Sequence, residues 1–163
     1  PKVDSLNGAE IRLTNSEIDK IEFEYPDGKR DAETLLIDQN TKDIYIISKR
    51  EKNVNVYVMK YPQLTNEVNF LTKLGSIPFN NVVAADIFDG KEIILKTYDN
   101  IFYWQIIEGE NIYQTLIRQG QRLPYKPEPQ GETIAWKKNG AGYFTLSEKN
   151  GLARPDLLYY KRN

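Results

Sequence analysis

The amino-acid sequence lacks both cysteine and histidine, and the absence of histidine excludes several functions. Without cysteine, disulfide usage gives no information about the redox compartment of the protein. Without histidine, the chain cannot offer imidazole as a zinc or copper ligand or as a general base, and it cannot build a Ser-His-Asp triad. Any side-chain chemistry therefore falls to the remaining polar residues.

Long apolar runs and an excess of one charge are also missing. No apolar stretch approaches the roughly 18 residues that indicate a membrane-spanning helix, so no membrane span is predicted. The 22 basic and 23 acidic residues are well mixed and give a net charge of −1. Such a balance provides no electrostatic footprint for nucleic acid, so no nucleic-acid partner is predicted. Glycine-rich phosphate loops that lead into a helix are absent as well.

The sequence does contain a recurring series of three short apolar runs. The anchors of the second run in each series, Tyr45, Ile94 and Phe144, lie 49 and 50 residues apart. Turn residues such as Asp89 and Gly90 separate the first run from the second, which is typical of β-hairpins. The runs cover residues 33–38, 43–49 and 54–60, then 82–88, 92–98 and 101–107, then 132–137, 142–148 and 156–161.

Series of short strands at this spacing are typical of β-propeller blades. We therefore expect an all-β protein with about three four-stranded antiparallel units in residues 20–163, either half a propeller or part of a six-bladed ring. Residues 20–25 alternate cleanly and predict an outer strand that opens the first unit. Residues 109–119 predict a short helix, and residues 1–19 form an N-terminal arm. A plain antiparallel sandwich is the alternative fold.

Three stretches resemble bacterial β-propeller proteins of the NHL-like and phytase-like kind. They are residues 25–38 (YPDGKRDAETLLID), 95–98 (LKTY) and 129–132 (PQGE), in the order of the family. The resemblance is to the C-terminal half of those proteins, which implies that further blades are missing here. It also implies export to the extracellular space or periplasm, but most members have no assigned activity, so it implies fold more than function. Lys96 stands where the family usually has arginine, which weakens the case for bidentate anion binding there.

In a propeller, the first residues of the innermost strands gather at one rim of the central channel. The sequence places acidic residues at or near these positions, and polar residues at the ends of the second strands are expected to join them. The seven candidate ligand-binding residues are Asp31, Glu33, Lys49, Asp86, Lys96, Glu132 and Glu148.

These residues allow three interpretations. Converging carboxylates would hold a hard cation such as Ca²⁺. A carboxylate pair could instead activate water or protonate a leaving group. In the third interpretation, the acids pair with lysine and arginine, including Arg30, around the channel. No catalytic residue and no cofactor is predicted from the residues alone, and Ca²⁺ is the ion that a carboxylate site would hold.

Two functions follow from these interpretations. The first is a non-catalytic propeller that binds a protein or glycan through its loops. The alternative is a metal-assisted hydrolase of the lactonase or phytase kind, acting through the channel carboxylates. We favour the first function because the chain holds only half of the ring that a propeller enzyme would use.

Three blades expose two blade faces and leave one outer-strand position unpaired. Two copies related by a two-fold axis could close a six-bladed ring, with residues 20–25 of one copy beside residues 156–161 of the other. Otherwise the chain would dock onto the missing blades of a longer parent chain. The sequence predicts one of these two partners.

Overall fold

The computed structural model describes residue 14, residues 17–149, residue 151 and residues 154–162. Strands in several antiparallel sheets dominate this part of the chain, which confirms the predicted all-β class. The predicted arm at residues 1–19 lies mostly outside the described residues. In chain order the elements are β1 (Glu22–Glu24), β2 (Ala32–Ile37), β3 (Ile44–Ser48), β4 (Val54–Met59), β5 (Val68–Phe70), β6 (Thr72–Ile77), β7 (Val82–Phe88), β8 (Glu92–Thr97), β9 (Ile101–Gln105), α1 (Ile112–Leu116), β10 (Gln121–Leu123), β11 (Gly131–Trp136), β12 (Gly142–Ser147) and β13 (Leu157–Lys161).

Three larger sheets share one construction. In each of them three consecutive strands pair antiparallel: β2-β3-β4 in the first sheet, β7-β8-β9 in the second and β11-β12-β13 in the third. Strand β6 adds a fourth strand beside β4, and β10 adds a fourth strand beside β9. The third sheet has three strands in the described part of the chain. All nine runs predicted as strands are present, and their ends shift by at most two residues.

The hairpin between β7 and β8 shows why the sequence pattern predicts its strands well. Asp89 and Gly90 have φ values of 53° and 62°. Two consecutive residues of positive φ are what a type I′ turn requires, and aspartate and glycine tolerate this conformation best. The N–H of Lys91 donates to the carbonyl of Phe88 at 3.0 Å and closes the turn. The dipeptide therefore fixes the reversal that pairs the two strands.

The first strand of each larger sheet is interrupted by a β-bulge at its second residue. The bulged residues are Glu33, Val83 and Glu132. A bulge adds a residue and re-aims its side chain, so Glu33 and Glu132 occupy the same place in two sheets. Asp86 lies three residues beyond the bulge of β7 and corresponds to Leu36. The pairing register therefore makes Val83, and not Asp86, the counterpart of Glu33.

The three sheets pack face to face in chain order. Strand β2 lies against β7, and β7 lies against β11. Ile47 and Val56 of the first sheet are fully buried against the second sheet, together with Leu95. Ile101 and Tyr143 belong to the core between the second and third sheets. Burying one such side chain contributes about 1.5–3 kcal/mol, so these two interfaces are the main stabilising contacts between sheets.

Residues 20–25, predicted as the outer strand of the first unit, adopt a different pairing. They contain β1, which pairs in parallel with β5 in a separate two-stranded sheet. Strand β6 is the outer strand of the first sheet instead. Leu71, between β5 and β6, explains the difference, because its side chain is buried under the first sheet and its N–H donates to Glu24 at 3.0 Å.

The predicted helix within residues 109–119 is confirmed as α1. Asn111 caps it and forms a capping box with Gln114, which satisfies two backbone donors at the helix start. Ile112 and Leu116 are buried in the core beside Trp104. No helix of the described chain is long and apolar enough to cross a membrane.

Candidate functional site

Lys49 is the centre of a polar cluster at one end of the first strands. Its side chain is only 2% exposed, and its Nζ lies 2.6 Å from Glu33 Oε2 and 3.0 Å from Glu132 Oε1. These two acids are the bulged residues of the first and third sheets. One buried ammonium group therefore joins two sheets that are far apart in sequence.

Tyr98 completes this group, which we call the Lys49 cluster (Glu33, Lys49, Tyr98 and Glu132). The hydroxyl of Tyr98 donates to Glu132 Oε1, and its ring lies 4.9 Å from the Lys49 Nζ. Lys49 directly follows β3, and Tyr98 directly follows β8. The cluster thus takes its members from all three sheets. Sequence reasoning missed Tyr98, although its distance of 49 residues from Lys49 matches the spacing of the anchors.

Hydrogen bonds shift the pKa values of Lys49 and Glu132 in opposite directions. Burial by itself lowers the pKa of Lys49, but the hydrogen bonds with Glu33, Tyr98 and Glu132 outweigh it and raise the pKa above its ordinary value. The hydrogen bond from Tyr98 lowers the pKa of Glu132, burial opposes this effect, and Lys49 lowers the pKa further. The cluster therefore holds a charged lysine beside the ionised Glu132 at neutral pH. A lysine with a raised pKa is a poor general base and a poor nucleophile.

Two more predicted residues lie at the same end of the sheets. Asp31 precedes β2 and pairs with Arg50, whose Nε lies 2.5 Å from Asp31 Oδ2. The Asp31 carbonyl accepts the N–H of Lys49 at 2.8 Å. Glu148, exposed after the end of β12, lies beside the Glu132 carboxyl. The structure thus brings together five of the seven predicted residues: Asp31, Glu33, Lys49, Glu132 and Glu148.

Asp86 lies apart from the Lys49 cluster. Its Oδ2 accepts the N–H of Trp136 at 2.7 Å, and its Oδ1 accepts the N–H of Ile87 at 2.8 Å. Burial raises the pKa of Asp86, and these two backbone hydrogen bonds only partly oppose it. Because Trp136 belongs to β11, the carboxyl ties the second sheet to the third.

Lys96 also points away from the cluster, into the contact between the second and third sheets. It is fully buried, and its Nζ donates to the carbonyls of Gly131 and Thr97. The ammonium lies 4.6 Å from the centre of the Tyr125 ring. Burial lowers the pKa of Lys96 to about 8. Its counterpart in the first sheet is the core residue Ile47, so Lys96 is a polar group at a position that is otherwise apolar.

Three of the carboxylates that Ca²⁺ would need at this end of the sheets are already engaged by cations. Glu33 and Glu132 contact Lys49, and Asp31 contacts Arg50. Among the described residues, no group of three or more acidic side chains is arranged to hold a metal ion. The geometry at this end of the sheets is that of an ion-pair network.

Comparisons of the chain with protein-family models, with curated proteins and with solved structures found no match. The case for a function therefore rests on the Lys49 cluster and on the surfaces of the three sheets.

Proposed function

We propose that this chain is a non-catalytic binding module made of three β-propeller blades. The observation that carries the proposal is the buried Lys49 ammonium between Glu33 and Glu132. The carboxylates that a hydrolase would use are here partners of a lysine that joins two sheets. Their side chains stabilise the arrangement of the blades, and ligand recognition falls to exposed loops and faces.

Three features of the sheets support the propeller interpretation. The sheets have the same strand order, and each first strand has a bulge at its second residue. The first strands also lie side by side, β2 with β7 and β7 with β11. Innermost strands that neighbour each other about a central axis are the defining contact of propeller blades. The resemblance adds export to the proposal, and the ligand that we propose for the loops is a protein or glycan.

The partner that we propose for the exposed blade face is a second copy of this chain. Leu157 and Tyr159 of β13 are 65% and 42% exposed. Phe70, on β5 beside β1, is 75% exposed and pairs with Glu24, which is also exposed. The first surface ends in Lys161 and the second carries Glu24, so apolar groups and opposite charges would meet. Two such contacts related by a two-fold axis would close a six-bladed ring.

Calcium titration with thermal melting separates the binding module from the hydrolase. A site on the folded state stabilises it by about 2.7 kcal/mol at a 100-fold excess of ion over its Kd. We expect millimolar Ca²⁺ to leave the melting temperature unchanged, both in the wild type and in a Glu132→Gln variant that keeps the shape of the cluster. A rise of several degrees in the wild type that is lost in this variant would contradict the proposal. Hydrolysis of a lactone or phosphate ester that needs Glu132 would contradict it too.

A further inference from the structure

A groove lies between the second and third sheets, away from the Lys49 cluster. It has a volume of about 370 Å³. Glu92 begins β8, whereas Tyr98 follows its end, so the two sites lie at opposite ends of the second sheet. Residues that line the groove include Tyr103, Leu123, Trp136, Tyr143, Lys161 and Arg162.

The guanidinium of Arg162 occupies one side of this groove. Its carbon lies 5.6 Å from the centre of the Tyr103 ring and 5.7 Å from the centre of the Trp136 ring. Two of its nitrogens contact the two carboxylate oxygens of Glu92, at 2.8 Å and 2.7 Å. The Arg162 side chain is 43% exposed, whereas the Glu92 side chain is only 15% exposed. A half-exposed cation therefore covers a carboxylate that is nearly buried.

The groups that contact this cation are held in place by strands and by one another, and not by Arg162. Glu92, Tyr103 and Trp136 belong to β8, β9 and β11, three paired strands of two sheets. The Tyr103 hydroxyl donates to Glu92 Oε1 at 2.7 Å and orients the carboxylate. Trp136 packs edge-to-face against both Tyr103 and Tyr143, with ring centres 6.3 Å apart in each pair. A site on strands, with each side chain held by its neighbours, stays preorganised when the cation leaves.

This set of groups selects one kind of ligand. Aromatic faces attract cations, and the two oxygens of a carboxylate match the paired N–H groups of a guanidinium. An ammonium group lacks the planar fork and makes no bidentate contact. If the cation left, Glu92 would be a nearly buried carboxylate without a counter-ion, which is costly. The site therefore requires a cation and favours a guanidinium.

We propose that this groove binds an arginine side chain of a partner polypeptide, and that Arg162 is a built-in occupant which the partner arginine displaces. The site needs neither the six-bladed ring nor the Lys49 cluster, so it goes beyond the function proposed above. The exposed Lys161 at the groove disfavours a partner with further positive charge next to its arginine. An isolated arginine flanked by neutral or acidic residues is the expected recognition element.

Titration with N-acetyl-arginine amide tests the proposal, with the indole N–H resonance of Trp136 as the readout. The chain has two tryptophans, and a Trp104→Phe variant identifies which indole signal is which. In Arg162→Ala, we expect a saturable shift of the Trp136 signal and a Kd at least about tenfold below that of the wild type. Tenfold is the factor for an occupant that fills the site about 90% of the time. N-acetyl-lysine amide is the matched probe and is expected to bind more weakly.

Two further variants keep the test decisive. Arg162→Gln retains most of the stem that packs on the rings, so it replaces Arg162→Ala if the latter does not fold. Glu92→Gln, added to the variant that folds, is expected to abolish binding. Equal Kd values for the wild type and the Arg162 variant would overturn the proposal. So would binding that persists without the Glu92 carboxylate, the lysine probe binding as tightly as the arginine probe, or no binding to any of these chains.

Discussion

The outer face of the first sheet is covered around Tyr57, whereas the outer face of the third sheet is exposed. On the first sheet, Tyr57 is fully buried, with Tyr25 packed edge-on at 4.9 Å between ring centres. Its hydroxyl donates to Asp27 at 3.0 Å and accepts from the Nε of Arg30 at 2.9 Å. On the third sheet, Leu157 is 65% exposed. The segment before β2 caps one end of the stack, and the described chain has no such cap at the other end.

Corresponding positions show that this difference does not come from the residues of the sheets themselves. Pairing registers make Val56, Ile101 and Leu157 counterparts in the third strands of the three sheets. All three are apolar, yet the first two are fully buried and only the third is exposed. Leu157 is thus a core-type side chain that lacks a neighbour. Large exposed apolar patches of this kind mark interaction sites.

The largest effect is expected from a substitution at the covered end of the stack. Tyr57→Ala removes a buried ring and its hydrogen bonds with Asp27 and Arg30, so we expect a loss of about 3–5 kcal/mol in the free energy of unfolding. Tyr159→Ala, at the exposed end, is the matched control and should cost no more than about 1 kcal/mol at a concentration where the chain is monomeric. Urea unfolding measures both losses. Equal losses would mean that the two ends do not differ as described.

A smaller effect is expected at the Lys49 cluster, which joins the covered sheet to the exposed one. Lys49→Met leaves Glu33 and Glu132 close together without their shared cation, which we expect to cost about 2–4 kcal/mol. Lys52→Met, in the same loop but exposed, should change the stability by less than about 0.5 kcal/mol. If Lys49→Met is as stable as the wild type, the cluster does not hold the sheets together.

The smallest expected effect concerns Lys96, between the second and third sheets. Burial lowers its pKa from 10.5 to about 8, so between these values the unfolded chain binds more protons than the folded chain. Stability should therefore rise as the pH increases from about 7.5 to 9.5, by about 1–2 kcal/mol, since one pKa unit corresponds to about 1.4 kcal/mol. Lys96→Met should abolish this rise. A flat profile for the wild type in urea unfolding would contradict the account of Lys96.

Above this window the tyrosines act in the opposite direction. Burial raises the pKa of Tyr125 and of Tyr143 to about 12. Their contribution to stability is fully present below the unfolded pKa of about 10 and is lost as the pH rises towards 12. The measurement on Lys96 must therefore end near pH 9.5.

Local chemistry explains which parts of the fold the sequence predicted well. The strands around Asp89 and Gly90 follow from a turn that only a few residue types allow, and from apolar runs on either side of it. Asn111 and Gln114 similarly mark the start of α1 through a local capping box. These signals need no knowledge of distant contacts.

Other features depend on contacts between distant residues, and sequence reasoning missed them. The alternating residues of β1 predict a strand, but the partner of that strand depends on Leu71, far along the chain. Asp86 was expected near the position of Glu33, but the pairing of β7 with β8, which the residue pattern does not reveal, makes Val83 the counterpart of Glu33. Tyr98 was missed because an aromatic residue after a strand usually serves packing. Its hydrogen bond to Glu132 joins residues 34 positions apart.

The oligomeric state tests the central claim, that the exposed face of the third sheet is covered by a second copy of the chain. Sedimentation equilibrium at micromolar concentration is the measurement. The account predicts a dimer for the wild type and a folded monomer for Leu157→Glu. Ile117→Glu, whose isoleucine is 52% exposed at the end of α1, is the matched control and should remain a dimer. A wild type that stays a monomer with a cooperative melt would contradict the claim, and so would a dimer that Leu157→Glu leaves intact.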